Sequence, residues 1–269
     1  MKTPPLLLVA SLLVASPLFA APQIIAHRGA SFDAPENTVA AAKLGWEQRA
    51  DGVEFDIWLT KEGEVIVIHD ATTKRTAGKD GPVASQALAE LRQLDAGSWK
   101  DPKFRGEKLP TLDEILATHP RTPGKRLFIE IKTGPEIVPA MVAAIRRSGL
   151  TAQQIAIISF KYDSLVASKK ALPAYEAYWL LSKPSTDPKK KSPTLDEILR
   201  DSRAGKIDGL DLNHGWVLDS AAVKKIRAAS LSLHVWTVDD VAIAKQWTAL
   251  GVDSITTNRP GWLREQLGK

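Results

Sequence analysis

The chain has 269 residues, 44% hydrophobic and 25% charged, with seventeen glycines and seventeen prolines; this is ordinary globular composition at a length that one α/β barrel reaches. It has no cysteine, which excludes disulfides, a thiolate-held zinc, a cysteine nucleophile and a lipid-anchored cysteine at a processed N-terminus. The formal net charge of +5 suits a small anion or an anionic membrane face, and nucleic acid is not expected, because no stretch interleaves Arg or Lys with aromatic residues.

Lys2 and the apolar run from Leu6 to Ala15, stopped by Ser16-Pro17, are too short for a membrane span of about 20 apolar residues. They have the form of a secretory signal. Cleavage is expected after Ala20, leaving a single domain over 21–269, exported, and periplasmic in a Gram-negative source. No integral membrane association is expected.

From Gln23 onward, β-rich runs alternate with amphipathic helical runs. The β-rich runs lie at 24–27, 53–58, 127–132, 155–160, 177–181, 209–213, 233–238 and 253–257. Helical periodicity occupies 37–48, 137–147, 221–229 and 241–250 among the stretches between them. Eight strand–helix units predict a closed (β/α)₈ TIM barrel. An open doubly wound sheet is the alternative, but the turn after the first strand reads His-Arg-Gly-Ala-Ser rather than a Gly-rich phosphate loop.

His27 closes the first strand, with Arg28 beside it. Asn37 is expected to cap the first helix, with Glu36 either sharing that role or bracing Arg28. In Val53-Glu54-Phe55-Asp56-Ile57 the two carboxylates share one strand face and the apolar side chains the other. The apolar face must meet the helix layer, so Glu54 and Asp56 point into the barrel. The strand then runs through Lys61-Glu62-Gly63-Glu64 into a second arm, a β-hairpin that places residues near 69 opposite residues near 56. His69 therefore comes beside Asp56. A small insertion follows at about 70–110, with helical content expected at 85–94. Pro-Thr-Leu-Asp-Glu-Ile-Leu occurs at 110–116 and again at 193–199, each copy reading as a capping box. Glu130 and Lys132 point inward by the same alternation. His119 is expected at the surface, and His214 and His234 in structural roles.

Two carboxylates about 5 Å apart repel by roughly 3 kcal/mol at an effective dielectric of 20. Three in one barrel mouth therefore call for a divalent cation, and all-oxygen ligands favour Ca²⁺ or Mg²⁺ over softer metals. Two histidines converging on that cluster can serve as base and acid near neutral pH. With the cation, Arg28 and Lys132 leave the mouth one positive charge, which matches a phosphodiester monoanion.

His27-Arg28-Gly29, Pro35-Glu36-Asn37-Thr38, Glu54-x-Asp56, Ile68-His69-Asp70, Leu109-Pro110-Thr111-Leu112, Ile129-Glu130-Ile131-Lys132, Val235-Trp236-Thr237-Val238 and Gly251-Val252-Asp253-Ser254-Ile255 together resemble the glycerophosphodiester phosphodiesterase family, in order over about residues 24–260. The resemblance implies a barrel whose metal is held by Glu54, Asp56 and Glu130. It implies His69 as general acid and His27 as base, Arg28 and Lys132 on the phosphate, and Trp236 in the substrate pocket. It also implies a small-molecule glycerophosphodiester substrate, cleaved to glycerol 3-phosphate and an alcohol. The insertion matches the family's in position but is shorter than in larger members, and Asn258 stands where many members carry Asp. A phospholipase D-like enzyme acting on lysophospholipids or sphingomyelin is the alternative.

Overall fold

The computed structural model describes residues 21–187 and 189–269; the expected signal segment lies outside the described residues. Strand β1 (Gln23–Ala26) leads through α1 (Val39–Glu47) to β2 (Gly52–Leu59), which folds back as β3 (Val65–Val67). Two single-turn helices follow, α2 (Lys74–Ala77) and α3 (Leu88–Leu91), then α4 (Leu112–Leu116) and β4 (Arg126–Ile131). Thereafter each strand is followed by one helix: α5 (Val138–Ser148), β5 (Ile155–Ser159), α6 (Tyr162–Ala171), β6 (Glu176–Leu181) and α7 (Leu195–Gly205). The chain finishes with β7 (Gly209–Asn213), α8 (Ser220–Ala228), β8 (Ser232–Trp236), α9 (Val241–Ala249), β9 (Ser254–Thr257) and α10 (Pro260–Gln266).

Every strand pairing except β2–β3 is parallel, and β1 pairs with both β2 and β9. Eight parallel strands thus close on themselves, the (β/α)₈ barrel expected. Closure removes sheet edges and gathers the strand C-termini at one mouth.

Alternation decides which side chains enter that mouth. Val53, Phe55 and Ile57 of β2, with Leu127, Ile129 and Ile131 of β4, pack outward in one buried cluster with Leu112 and Ile115 of α4 and Met141 and Ile145 of α5. Each such side chain, fully buried, stabilises the fold by about 1.5–3 kcal/mol. Turning β2 over to expose its acids would forfeit several of these contacts, so the apolar face sets the orientation of Glu54 and Asp56.

The hairpin has the expected register: Ile57 lies opposite Val67 and Leu59 opposite Val65. The Ile68 N–H donates to the Asp56 carbonyl at 3.0 Å, which delivers His69 to the mouth. The insertion holds its own small core of Ile66, Ile68, Val83, Leu91, Ala96 and Leu109. Its helical turns extend beyond 85–94, since α2 lies upstream and a further turn covers Pro102–Phe104. Both capping boxes form, Thr111 with Glu114 and Thr194 with Glu197.

Two local expectations are corrected. Thr38, not Asn37, caps α1, its hydroxyl accepting from the Ala41 N–H at 3.1 Å. His119 is buried at 3% exposure, because its ring packs edge-on to Trp46 and Nε2 meets the Lys125 carbonyl at 3.0 Å.

Candidate active site

The turn after β1 brings His27 and Arg28 over the barrel. Arg28 has φ 54° and Gly29 φ +80°, left-handed values rarely tolerated outside glycine. A Cβ at Gly29 would lie 2.4 Å from the Ala41 carbonyl carbon, so only glycine lets this turn press against α1. The turn is pinned from below: the Arg28 N–H donates to Glu54 Oε2 at 2.9 Å.

Glu54, Asp56 and Glu130 each offer a carboxylate oxygen, and these oxygens all lie within 4.8 Å of one another. All three side chains are buried, Asp56 completely. Lys132 Nζ lies 2.8 Å from Glu130 Oε1 and 3.4 Å from Asp56 Oδ1, and Arg28 Nε lies 3.3 Å from Asp56 Oδ2. Asn37, displaced from the capping role, holds Asp56 from both sides. Its amide donates to Asp56 Oδ2 at 2.7 Å and its oxygen accepts from the Asp56 N–H at 3.1 Å.

The charges are uneven across the triad. For Asp56, burial, which alone pushes a carboxyl up, is outweighed by Arg28 and Lys132, so it is held below its ordinary value. Burial, followed by the Asp56 carboxylate, pushes Glu130 up to about 8 and Glu54 well above its ordinary value. Two carboxyls thus carry charge at neutral pH only with positive compensation. Glu54 Oε1 and Asp56 Oδ1 are buried without a hydrogen-bond partner. Buried oxygens left so cost about 1–3 kcal/mol each. Orphaned, convergent carboxylate oxygens fit a hard divalent cation.

The histidines stand on different supports. His27 Nδ1 is 2.7 Å from Asn258 Oδ1, while the Asn258 Nδ2 donates to the Asp239 carboxylate. Asp239 can only accept there, so the amide oxygen faces His27 and must accept from Nδ1–H. The lone pair is therefore on Nε2, which lies 4.0 Å from Glu54 Oε2. Burial and then Arg28 push the ring down to about 4. His69 Nδ1 instead meets a carboxylate, Asp70 Oδ1, at 2.6 Å. The Arg75 bonds, followed by that to His69, hold Asp70 down at about 2.

Arg75 also reaches Glu36 with both terminal nitrogens, each at 2.8 Å, and Glu36 in turn accepts from Arg28 at 2.8 Å. This chain ties the β1 turn to the insertion, and the bracing role is the one Glu36 takes.

A small cavity of about 20 Å³ lies in the mouth, lined by His27, Glu54, Glu130, Trp236, Asp211 and Thr256 among others. Trp236 packs edge-on to Phe160 at 5.3 Å and donates to the Asp211 carbonyl at 3.0 Å. A larger cavity of about 520 Å³ sits at the opposite end, where the wall groups are already paired: Arg126 with Glu176, Arg227 with Asp253, and His234 with Ser232 and Ser254. All eight site residues expected from the sequence thus meet at one end of the barrel. Asn37, Arg75, Asp211, Asp239 and Asn258 were not anticipated in the site.

Fold and site define an enzyme of the phosphodiesterase class. Residues 27–262 match the family described as Glycerophosphoryl diester phosphodiesterase, and the chain belongs to that family. A glycerophosphodiester phosphodiesterase of Caldanaerobacter subterraneus is 33% identical over 244 residues, covering 88% of this chain and 94% of its own. One from Bacillus subtilis is 31% identical over 256 residues, covering 88% of this chain and 83% of its own. An Oleispira antarctica phosphodiesterase, solved with the product sn-glycerol-3-phosphate, is similar at a TM-score of 0.82 and 28% identity, over 93% of this chain and 98% of that one.

Proposed function

We propose that the protein hydrolyses glycerophosphodiesters to sn-glycerol 3-phosphate and an alcohol, with one divalent cation, Ca²⁺ or Mg²⁺, held by Glu54, Asp56 and Glu130. The observation that carries this reading is the buried triad with orphaned oxygens, set between two histidines of opposite support. When bound, such a cation neutralises the carboxylates and polarises a phosphoryl oxygen.

The remaining chemistry belongs to the chain. Arg28, held by Asp56 at Nε and by Glu36 at Nη1, presents its remaining donors, with Lys132, to the phosphate. His27, neutral with its lone pair on Nε2, accepts the proton of the attacking oxygen. His69, oriented through Nδ1 by Asp70, returns a proton to the alcohol oxygen as the P–O bond breaks. Trp236 forms a wall of the substrate pocket.

The test is release of sn-glycerol 3-phosphate from glycerophosphocholine by the purified protein. No release with either cation would overturn the reading. Export with cleavage after Ala20 belongs to the same proposal, and N-terminal sequencing of exported protein should begin at Ala21.

One observation favours lysophospholipids as a second substrate class. Phe32, Trp99, Phe160 and Val217 are exposed, and each follows a strand C-terminus or lies in the insertion, around the mouth. Among the described residues no helix is long and apolar enough to cross a membrane. Turnover of lysophosphatidylcholine against glycerophosphocholine separates the two readings.

A further inference from the structure

Asp211 is the inward residue at the middle of β7, since its neighbours Leu210 and Leu212 pack outward against the helices. It is 2% exposed. Its Oδ1 is buried and has no hydrogen-bond partner, unlike Asp239 or Asp70. None of the mechanism above uses it. Yet it lines the same small cavity as the base His27 and the acids Glu54 and Glu130.

Around that cavity Asp211 of β7 stands between Leu180 of β6 and Trp236 of β8, with Ile158 beyond the first and Thr256 beyond the second. At about 20 Å³ it has room for one oxygen-sized group and no more. Burial, with no cation to offset it, pushes the Asp211 carboxyl up to about 8. The protonated form that burial favours is a donor as well as an acceptor, which a carboxylate is not. A group with both capacities, buried with an unpartnered oxygen, is destabilising. It is complementary to a hydroxyl, which also gives and takes one hydrogen bond.

We propose that Asp211 forms a hydroxyl slot on the floor of the active site that takes one hydroxyl of the substrate's glycerol moiety and so selects glycerol diesters over diesters of plain alcohols. This rests on the reading of the substrate given above. A site built to hydrogen-bond a hydroxyl rejects an analogue lacking it far better than an apolar pocket rejects an added one. Asp211 is thus a specificity residue whose cost in the unliganded protein is recovered when substrate binds.

The test compares glycerophosphocholine with n-propyl phosphocholine, which keeps the headgroup and chain length but lacks both hydroxyls. The wild type should prefer the glycerol diester by about tenfold or more in kcat/KM. Asp211→Ala should lose that factor on glycerophosphocholine and change little on the propyl diester, while Asp211→Asn, which keeps shape and a donor, should retain most of the preference. Asp211→Leu should melt at or above the wild type, because it removes a buried carboxyl without removing a bond; a purely structural Asp211 predicts a lower Tm. Equal losses on both substrates, as a slot holding only water predicts, or no loss on either, would overturn the proposal. Calorimetric binding of sn-glycerol 3-phosphate against n-propyl phosphate to the cation-loaded protein makes the same comparison without turnover. A protein that does not cleave glycerophosphocholine yet binds the first phosphate tenfold more tightly would contradict the proposed function and leave the slot standing.

Discussion

His27 and Asn258 are 231 positions apart in the chain, yet Nδ1 of the one lies 2.7 Å from Oδ1 of the other. The contact crosses the β1–β9 seam at which the barrel closes, so the base is oriented by closure of the fold itself. Asp239 holds the amide from behind. Asn258→Asp places a carboxylate against Nδ1, and an opposite charge at this distance raises a histidine by about 1–3 pH units. The acid limb of the kcat/KM profile, where His27 must be unprotonated, should move alkaline by at least one unit. An unmoved limb would show that Asn258 does not govern the state of His27.

The leaving group separates the two histidines. A choline alkoxide needs a proton in the transition state and a nitrophenolate does not. His69→Ala should lose about 10²–10⁴-fold on glycerophosphocholine and much less on a nitrophenyl phosphodiester. His27→Ala should be slow on both. Compared as transition-state free energies, the same substrate dependence in both variants would refute the assignment, and rescue of His27→Ala alone would reverse it.

Stability should report the cation with a definite sign. Glu130 is raised from the usual carboxyl value to about 8, and Glu54 is raised as well. The folded, cation-free protein therefore binds protons that the unfolded chain releases near pH 4–5, so this contribution is full below that range and is lost as pH rises through 8. Asp56, shifted the other way, is already ionised over this window. Cation should restore what the rise in pH removes. At 100 times Kd the gain is about 2.7 kcal/mol, or roughly 5–10 °C in Tm, and it should be larger at pH 8 than at pH 5.5. Equal shifts at both pH values would contradict carboxylate ligation.

Much of this site was legible before any fold was drawn. Alternation in β2 and β4 placed Glu54, Asp56, Glu130 and Lys132 inward, because the opposite faces are too apolar to point anywhere but at helices. The hairpin register then delivered His69. Asn258 and Asp239 were not legible as partners of His27, since nothing local in β9 reveals which strand closes the barrel against it. Asn37 was misplaced for a different reason. It is a good capping residue beside another, Thr38, so the sequence offered two helix starts, whereas its φ of 60° and its bonds to Asp56 leave the cap to Thr38. Asp211 did carry a signal, an acid between two leucines, which alternation alone sends inward.

Residues 183–187 and 189–193 follow β6 and so lie at the mouth. Lys189, Lys190 and Lys191 are exposed there, where positive charge would raise the local concentration of an anionic substrate. Replacing all three with Ser should lower kcat/KM severalfold at low salt and little at 0.5 M, where the screening length falls below the 8 Å of physiological salt. The same loss at both salt concentrations would point to a structural role for the loop.

On the proposed reading, Glu54, Asp56 and Glu130 hold a divalent cation required for turnover of a glycerophosphodiester. The direct measurement is sn-glycerol 3-phosphate release from glycerophosphocholine by chelator-treated protein, with Ca²⁺ or Mg²⁺ then added back, alongside Glu54→Gln, Asp56→Asn and Glu130→Gln. Activity should be lost on chelation and recover on addition, and the variants should need much more cation or fail to recover, since each loses one charged ligand. Full activity in chelator, or variants with the cation requirement of the wild type, would contradict that reading.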